Sequence, residues 1–87
     1  MKEMDELILN LNLFIMFLNS WEEDSRKEPG GKVRIVLKDY PWNVLIELEK
    51  KGLIRQLVKS VIITEEGIAK AQDLSHIYNN FLESFKS

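Results

Sequence analysis

No cysteine occurs among the 87 residues of this chain, and there is one histidine, with two prolines and four glycines. Lack of cysteine excludes a disulfide framework, a thiolate metal site and a cysteine nucleophile. It fits a reducing compartment, and a cytoplasmic location is expected. His76 and Asp73, three residues apart on one helical face, fall short of the three or four ligands that a zinc site needs. His76 therefore reads as a partly exposed helical residue. No Gly-x-Ser-x-Gly elbow is present. Gly30-Gly31-Lys32 lacks both the spacing and the following hydroxyl of a phosphate loop, so it reads as a turn. Glu22, Glu23 and Asp24 are consecutive and read as a solvated acidic run. The chain is expected to be no enzyme and to use no metal or cofactor.

A long apolar run is missing as well. Residues 7–18, LILNLNLFIMFL, are interrupted by Asn10 and Asn12 and fall short of the roughly 20 residues that span a bilayer. The preceding residues are net acidic and no small-residue cleavage site follows, which argues against a signal peptide. No membrane association is expected. The length suits one domain near the lower limit for a single core.

What is present is clear periodicity and punctuation. Over residues 3–21, Met4, Leu7, Ile8, Leu11, Phe14, Ile15 and Leu18 recur at helical steps. A second stripe, Leu9, Leu13, Met16 and Phe17, occupies much of the opposite side. A helix apolar nearly all round must be buried all round. The expectation is a homodimer through Leu9, Leu13, Met16 and Phe17, joined by Phe81 and Phe85 of the last helix, although cover within one protomer would also satisfy the pattern. Residues 22–32 read as a polar loop and residues 33–38 as a half-buried strand. In that strand Val33, Ile35 and Leu37 point one way, Arg34, Val36 and Lys38 the other.

A helix is expected over residues 40–51, with Pro41 in its first turn and Asp39 as a candidate cap. Val44, Leu45 and Leu48 lie on its core face. Trp42 and Ile46 form a second patch, with Trp42 read as core because large aromatic side chains are usually buried. Gly52 stands where a left-handed residue ends a helix. A hairpin follows over residues 53–63. Thr64 has the chemistry of an N-cap, and Glu65 and Glu66 suit the positive end of a last helix over residues 65–84. The whole predicts one mainly α domain with a small antiparallel three-stranded sheet, an α+β class in the order helix-strand-helix-strand-strand-helix.

Charge is unevenly spread. The net charge is −2, yet residues 32–59 carry seven basic and three acidic side chains, against three and seven in residues 1–31. The stretch LEKKGLIRQLVKSVIITEEG, residues 48–67, resembles the winged-helix modules of transcription regulators of the multiple-antibiotic-resistance type. There a similar "L-E-K-K-G-L-I" ends the recognition helix and a similar "L-T-E-E-G" leaves the wing. Trp42, Leu45, Leu48, Gly52, Leu53, Ile54, Lys59, Ser60, Val61, Thr64, Glu65 and Gly67 resemble more closely still a family of short bacterial proteins of unknown function.

The resemblance implies a winged-helix-like fold over about residues 40–75, and two functions are open. One is a dimeric DNA-binding regulator with Lys50, Lys51, Arg55 and Lys59 on phosphates and Asn43 and Glu47 towards bases. The other is protein–protein contact through helix one and the Trp42/Ile46 patch. The chain departs from the regulator pattern in having no supporting helix before Pro41 and only a short wing. Whether a distorted supporting helix lies within residues 22–32 is open at this level.

Overall fold

The computed structural model describes residues 2–24 and 31–86, with the backbone alone at residues 2–5, 81, 82, 85 and 86. In chain order these form α1 (Lys2–Asn19), β1 (Trp21–Asp24), β2 (Lys32–Leu37), α2 (Trp42–Lys50), β3 (Ile54–Gln56), β4 (Ser60–Ile63) and α3 (Glu65–Lys86). The strands make one antiparallel sheet in the order β1-β2-β4-β3. The class is α+β, as the periodicity predicts, with four strands where three are expected.

The joint between α2, the hairpin and α3 is built as its residues require. Gly52 has φ +77°, a left-handed conformation that a Cβ would strain. Its amide donates to the Glu49 carbonyl (3.0 Å) and the Leu53 amide to the Leu48 carbonyl (3.1 Å). These are the two bonds of a Schellman terminus, and Leu48 and Leu53 supply its apolar contact. Thr64 then ties both sides together. Its amide donates to the Leu53 carbonyl (3.1 Å) and its hydroxyl to the Gly52 carbonyl (2.7 Å), while Oγ1 accepts the Gly67 amide (3.1 Å). The last bond is an N-cap, which satisfies one orphan donor of α3.

Three elements depart from expectation. Residues 22–24, expected in a loop, belong to β1, whose register sets Trp21 opposite Ile35 and Glu22 opposite Arg34. Helix α1 accordingly stops at Asn19 and not Trp21. Arg34 holds the corner: its Nε donates to Ser20 Oγ (2.7 Å), its guanidinium meets Glu22 (3.5 Å) and it lies over the Phe17 ring, 5.1 Å from the centroid. No supporting helix occurs between α1 and α2 among the described residues, and residues 25–30 lie outside them. Helix α2 starts at Trp42 with Pro41 as its N-cap and no side-chain cap bond, so Asp39 does not cap it. The Pro41 carbonyl accepts the Val44 and Leu45 amides instead.

The core lies between one sheet face and the helices α1 and α2. Leu9, Leu13, Met16, Val36, Val44, Leu45, Leu48, Ile54, Val61 and Ile63 form it, each full burial contributing about 1.5–3 kcal/mol before entropic costs. This overturns the expected interface role of Leu13 and Met16, because a side chain enclosed by its own fold has no surface left for a partner; both are 0% exposed, and Leu9 is buried at 7%. Phe17 is half-buried against the same core beneath Arg34. Phe81 and Phe85 lie outside the described side chains. Helix α3 packs on α1, with the Phe14 and Tyr78 rings 5.3 Å apart and tilted by 51°.

Gly67 lies in the first turn of α3, where a Cβ would stand 2.0 Å from the Leu53 carbonyl oxygen and 2.8 Å from Ile63 Cγ2. In an unobstructed helix Gly→Ala stabilises by about 0.5–1 kcal/mol. Here Gly67→Ala is expected to destabilise, by roughly 1–3 kcal/mol as overpacking does. Urea denaturation checks the sign, and a raised midpoint would mean that α3 does not sit tightly on Leu53.

Candidate functional site

Among the described residues, two apolar surfaces stand out once the core is filled. The first follows α1. Successive residues advance by 100° around a helix, so Leu7, Ile8, Leu11, Ile15 and Leu18 share the side opposite Leu9, Leu13 and Met16. All five are exposed, Leu18 at 64%. Ile8, at one margin of this face, enters an open cleft of about 610 Å³ between α1 and α2, lined by Glu6, Ile8, Leu9, Trp42, Asn43, Val44, Ile46, Glu47 and Lys51. Trp42, read from sequence as core, is 73% exposed on the rim. The reason is rotational: Val44, Leu45 and Leu48 take the core-facing side of α2, and Trp42 lies away from it.

The second surface is the outward face of the sheet. Pairing sets Arg55, Ile62, Ile35 and Trp21 in one row, with Val33 beside Glu23 and Leu37 beside Ser60. The alternate row, Ile54, Ile63 and Arg34, faces the helices, and so do Val36 and Val61. The strand thus turns its richer apolar side, Val33, Ile35 and Leu37, away from the core. Leu37 and Trp21 are exposed, while Val33, Ile35 and Ile62 are half-buried by their strand neighbours.

The residues expected to meet DNA do not form one patch. Asn43, Glu47 and Lys51 come together in the α1/α2 cleft. Lys50 lies beside them on α2 and pairs with Glu47 at 3.5 Å. Arg55 is on the opposite face of the sheet, because Gln56 next to it turns towards α2 and bonds the Glu49 carboxylate through its amide (2.9 Å) and side chain (3.1 Å). Lys59 is exposed in the turn between β3 and β4. Much of the basic block serves the fold: Arg34 holds the β1 corner, and Lys38 Nζ donates to the Leu57 carbonyl (3.0 Å). Lys51 Nζ donates to Glu6 at 2.7 Å, a pair that ties the start of α1 to the end of α2. His76 and Asp73 are both exposed. Among the described residues no group of three His, Cys, Asp or Glu side chains could hold a metal ion, and no helix is long and apolar enough to cross a membrane.

The outward residues of α1 were visible in sequence as an apolar stripe, but nothing marked that stripe as the exposed one. For the sheet face the only signal was the alternation of residues 33–38. Comparison with known proteins adds a family: its model, described as a domain of unknown function (DUF6429), matches residues 3–81. The chain belongs to this family. No curated protein and no solved structure matches it. The match takes in α1, the sheet, α2 and most of α3, so both open surfaces fall within it.

The Glu6–Lys51 pair has a titration signature. The hydrogen bond from Lys51, then its charge, holds the Glu6 carboxyl below its ordinary value, and Lys70 adds to this. The hydrogen bond to Glu6, then its charge, holds the Lys51 ammonium above its ordinary value. A lowered carboxyl pKa contributes stability present above the unfolded-state value and lost as pH falls through the folded one; a raised ammonium pKa contributes stability lost as pH rises through its folded value. The pair should therefore act between these acid and alkaline limits. In Lys51→Met the Glu6 midpoint, followed by carboxyl NMR, should rise towards an ordinary glutamate; an unmoved midpoint would show that the ion pair does not form in solution.

Proposed function

We infer that this chain is a non-enzymatic protein-contact module that acts in the cytoplasm and receives an amphipathic helix of a partner on the outward face of α1. The observation that carries the reading is the exposed stripe of Leu7, Ile8, Leu11, Ile15 and Leu18, whose Ile8 margin meets Trp42 and Ile46 in one open cleft. Leu7, Leu11, Ile15 and Leu18 stand at i, i+4, i+8 and i+11, a spacing that suits helix-on-helix docking, and a contiguous exposed apolar patch is unusual on a surface without a partner. Asn43 lies within this cleft as a hydrogen-bonding group among apolar contacts.

The winged-helix resemblance is supported in part by topology: β2 pairs with β4 of the hairpin, and α2 ends at the hairpin as a recognition helix would. Residues 38–41 between β2 and α2 hold no supporting helix. For DNA, Arg55 and Lys59 are exposed and have no ion pair among the described residues. Against it, Lys50 and Lys51 are paired with Glu47 and Glu6, and Arg55 lies on another face. Phosphate binding gains from cations on one continuous stripe, and this geometry divides them.

The test has two arms. A photo-crosslinking amino acid replaces Leu11 in the full chain, expressed in its own cells, with Glu66 as the control position. Leu11 is expected to give a protein adduct of one defined mass that the control lacks. In parallel, fluorescence anisotropy follows a labelled random duplex across a salt series. A log–log salt slope of about −3 to −4, lost in Lys50→Glu/Lys51→Glu, would replace this reading with DNA binding. Absence of any protein adduct at Leu11 would also overturn it.

A further inference from the structure

The outward face of the sheet carries a further inference: it lies across the sheet from the core, and only at its Trp21/Leu37 corner does it border a cleft shared with Ile15 and Asn19 of α1. An antiparallel sheet with one solvated face ordinarily alternates apolar inside with polar outside. Here the outer face holds Val33, Ile35, Leu37 and Ile62 on its two central strands and Trp21 on the β1 edge, and among the described residues no helix packs on it. Charge is confined to its two margins and differs in sign between them. Glu23 stands on the β1 edge beside Trp21, whose Nε1 donates to the Glu23 carboxylate (2.9 Å). Arg55 stands on the β3 edge, in the same row as Trp21.

We propose that two copies of this chain pack sheet on sheet through these outer faces, about a twofold axis parallel to the strands, with Arg55 of each copy set against Trp21 and Glu23 of the other. Symmetry selects this arrangement. A twofold axis lying between the sheets and along the strands brings the β3 edge of one copy over the β1 edge of the other, so opposite charges meet twice. An axis across the strands would set the β3 edge on itself and the β1 edge on itself, so like charges would share each margin. Packed sheets lie about 10 Å apart with their strands within about 30°, a gap that an arginine side chain spans. The guanidinium would then find both an indole face and a carboxylate. Edge-to-edge association is the poorer alternative. β1 carries Glu22, Glu23 and Asp24 along its length and β3 has only three residues, and both features blunt strand addition.

Sedimentation velocity over a micromolar to millimolar concentration series tests this on the full chain, with circular dichroism as the folding control. The wild type should be a dimer at the upper concentrations. Arg55→Glu and Glu23→Arg, both at exposed positions, should each weaken it by about tenfold or more through like-charge contact. The double exchange, Arg55→Glu with Glu23→Arg, should recover most of the loss, which a merely structural role for either residue would not produce. In a Trp42→Phe background the emission of Trp21 should shift to the blue as concentration rises. Leu11→Glu should leave the dimer intact, so failure here and failure of the α1 reading are told apart. A monomer at every concentration overturns the proposal, as does a double exchange without recovery. A dimer that Leu11→Glu dissociates places self-association on α1 and overturns it too.

Discussion

The hydroxyl of Thr64 is the smallest group on which the most structure depends. It donates to the carbonyl of Gly52 and accepts the amide of Gly67, so the end of α2 and the start of α3 are fixed to each other across the base of the hairpin. Each neighbour must be glycine for its own reason. Gly52 needs a left-handed backbone, and Gly67 needs the absence of a Cβ against the Leu53 carbonyl. With this joint set, β3 and β4 can only run antiparallel beside it, and Ile54 and Ile63 are delivered together to the core. The sheet then extends outward by pairing, through β2 to β1.

The apolar content of the chain exceeds what its own core uses. Two helices against one sheet face enclose Leu9, Leu13, Met16 and their neighbours, and that satisfies one side of α1 and one side of the sheet. The other side of each is also apolar. A small domain buries a smaller fraction of its surface than a large one, so some exposure follows from size alone. Size does not explain why many of the exposed apolar side chains gather along α1. Under the two proposals made above, the sheet face would hold a copy of the chain and the α1 face a partner.

Charge tells a related story. A block of seven basic residues looks like a surface for an anionic ligand while the chain is a string. In the fold, Arg34 braces the β1 corner, Lys38 supports the hairpin turn, and Lys50 and Lys51 pair with Glu47 and Glu6. Glu6 lies 45 residues from Lys51, so no local inspection could have matched them. What remains is divided between faces by the pleat of β3, which sends Arg55 and Gln56 in opposite directions.

The residues alone determined the period of most elements and the joint between α2, the hairpin and α3, but neither β1 nor the end of α1. The helical step of the apolar positions, the left-handed site at Gly52, the cap at Thr64 and the alternation around Val36 are local properties, and each reappears in the structure. Tertiary packing decided what local properties leave degenerate. Helix α1 has two apolar stripes of similar quality, and only the fit against Leu45, Leu48 and Val61 chose Leu9, Leu13 and Met16 as the inner one. β2 could have turned Val33, Ile35 and Leu37 inward, yet its register with β4 aligned Val36 with Val61 and turned those three out. β1 was invisible because Trp-Glu-Glu-Asp has no strand-like alternation. An edge strand is held by backbone hydrogen bonds to its neighbour, and backbone groups are the same in every sequence.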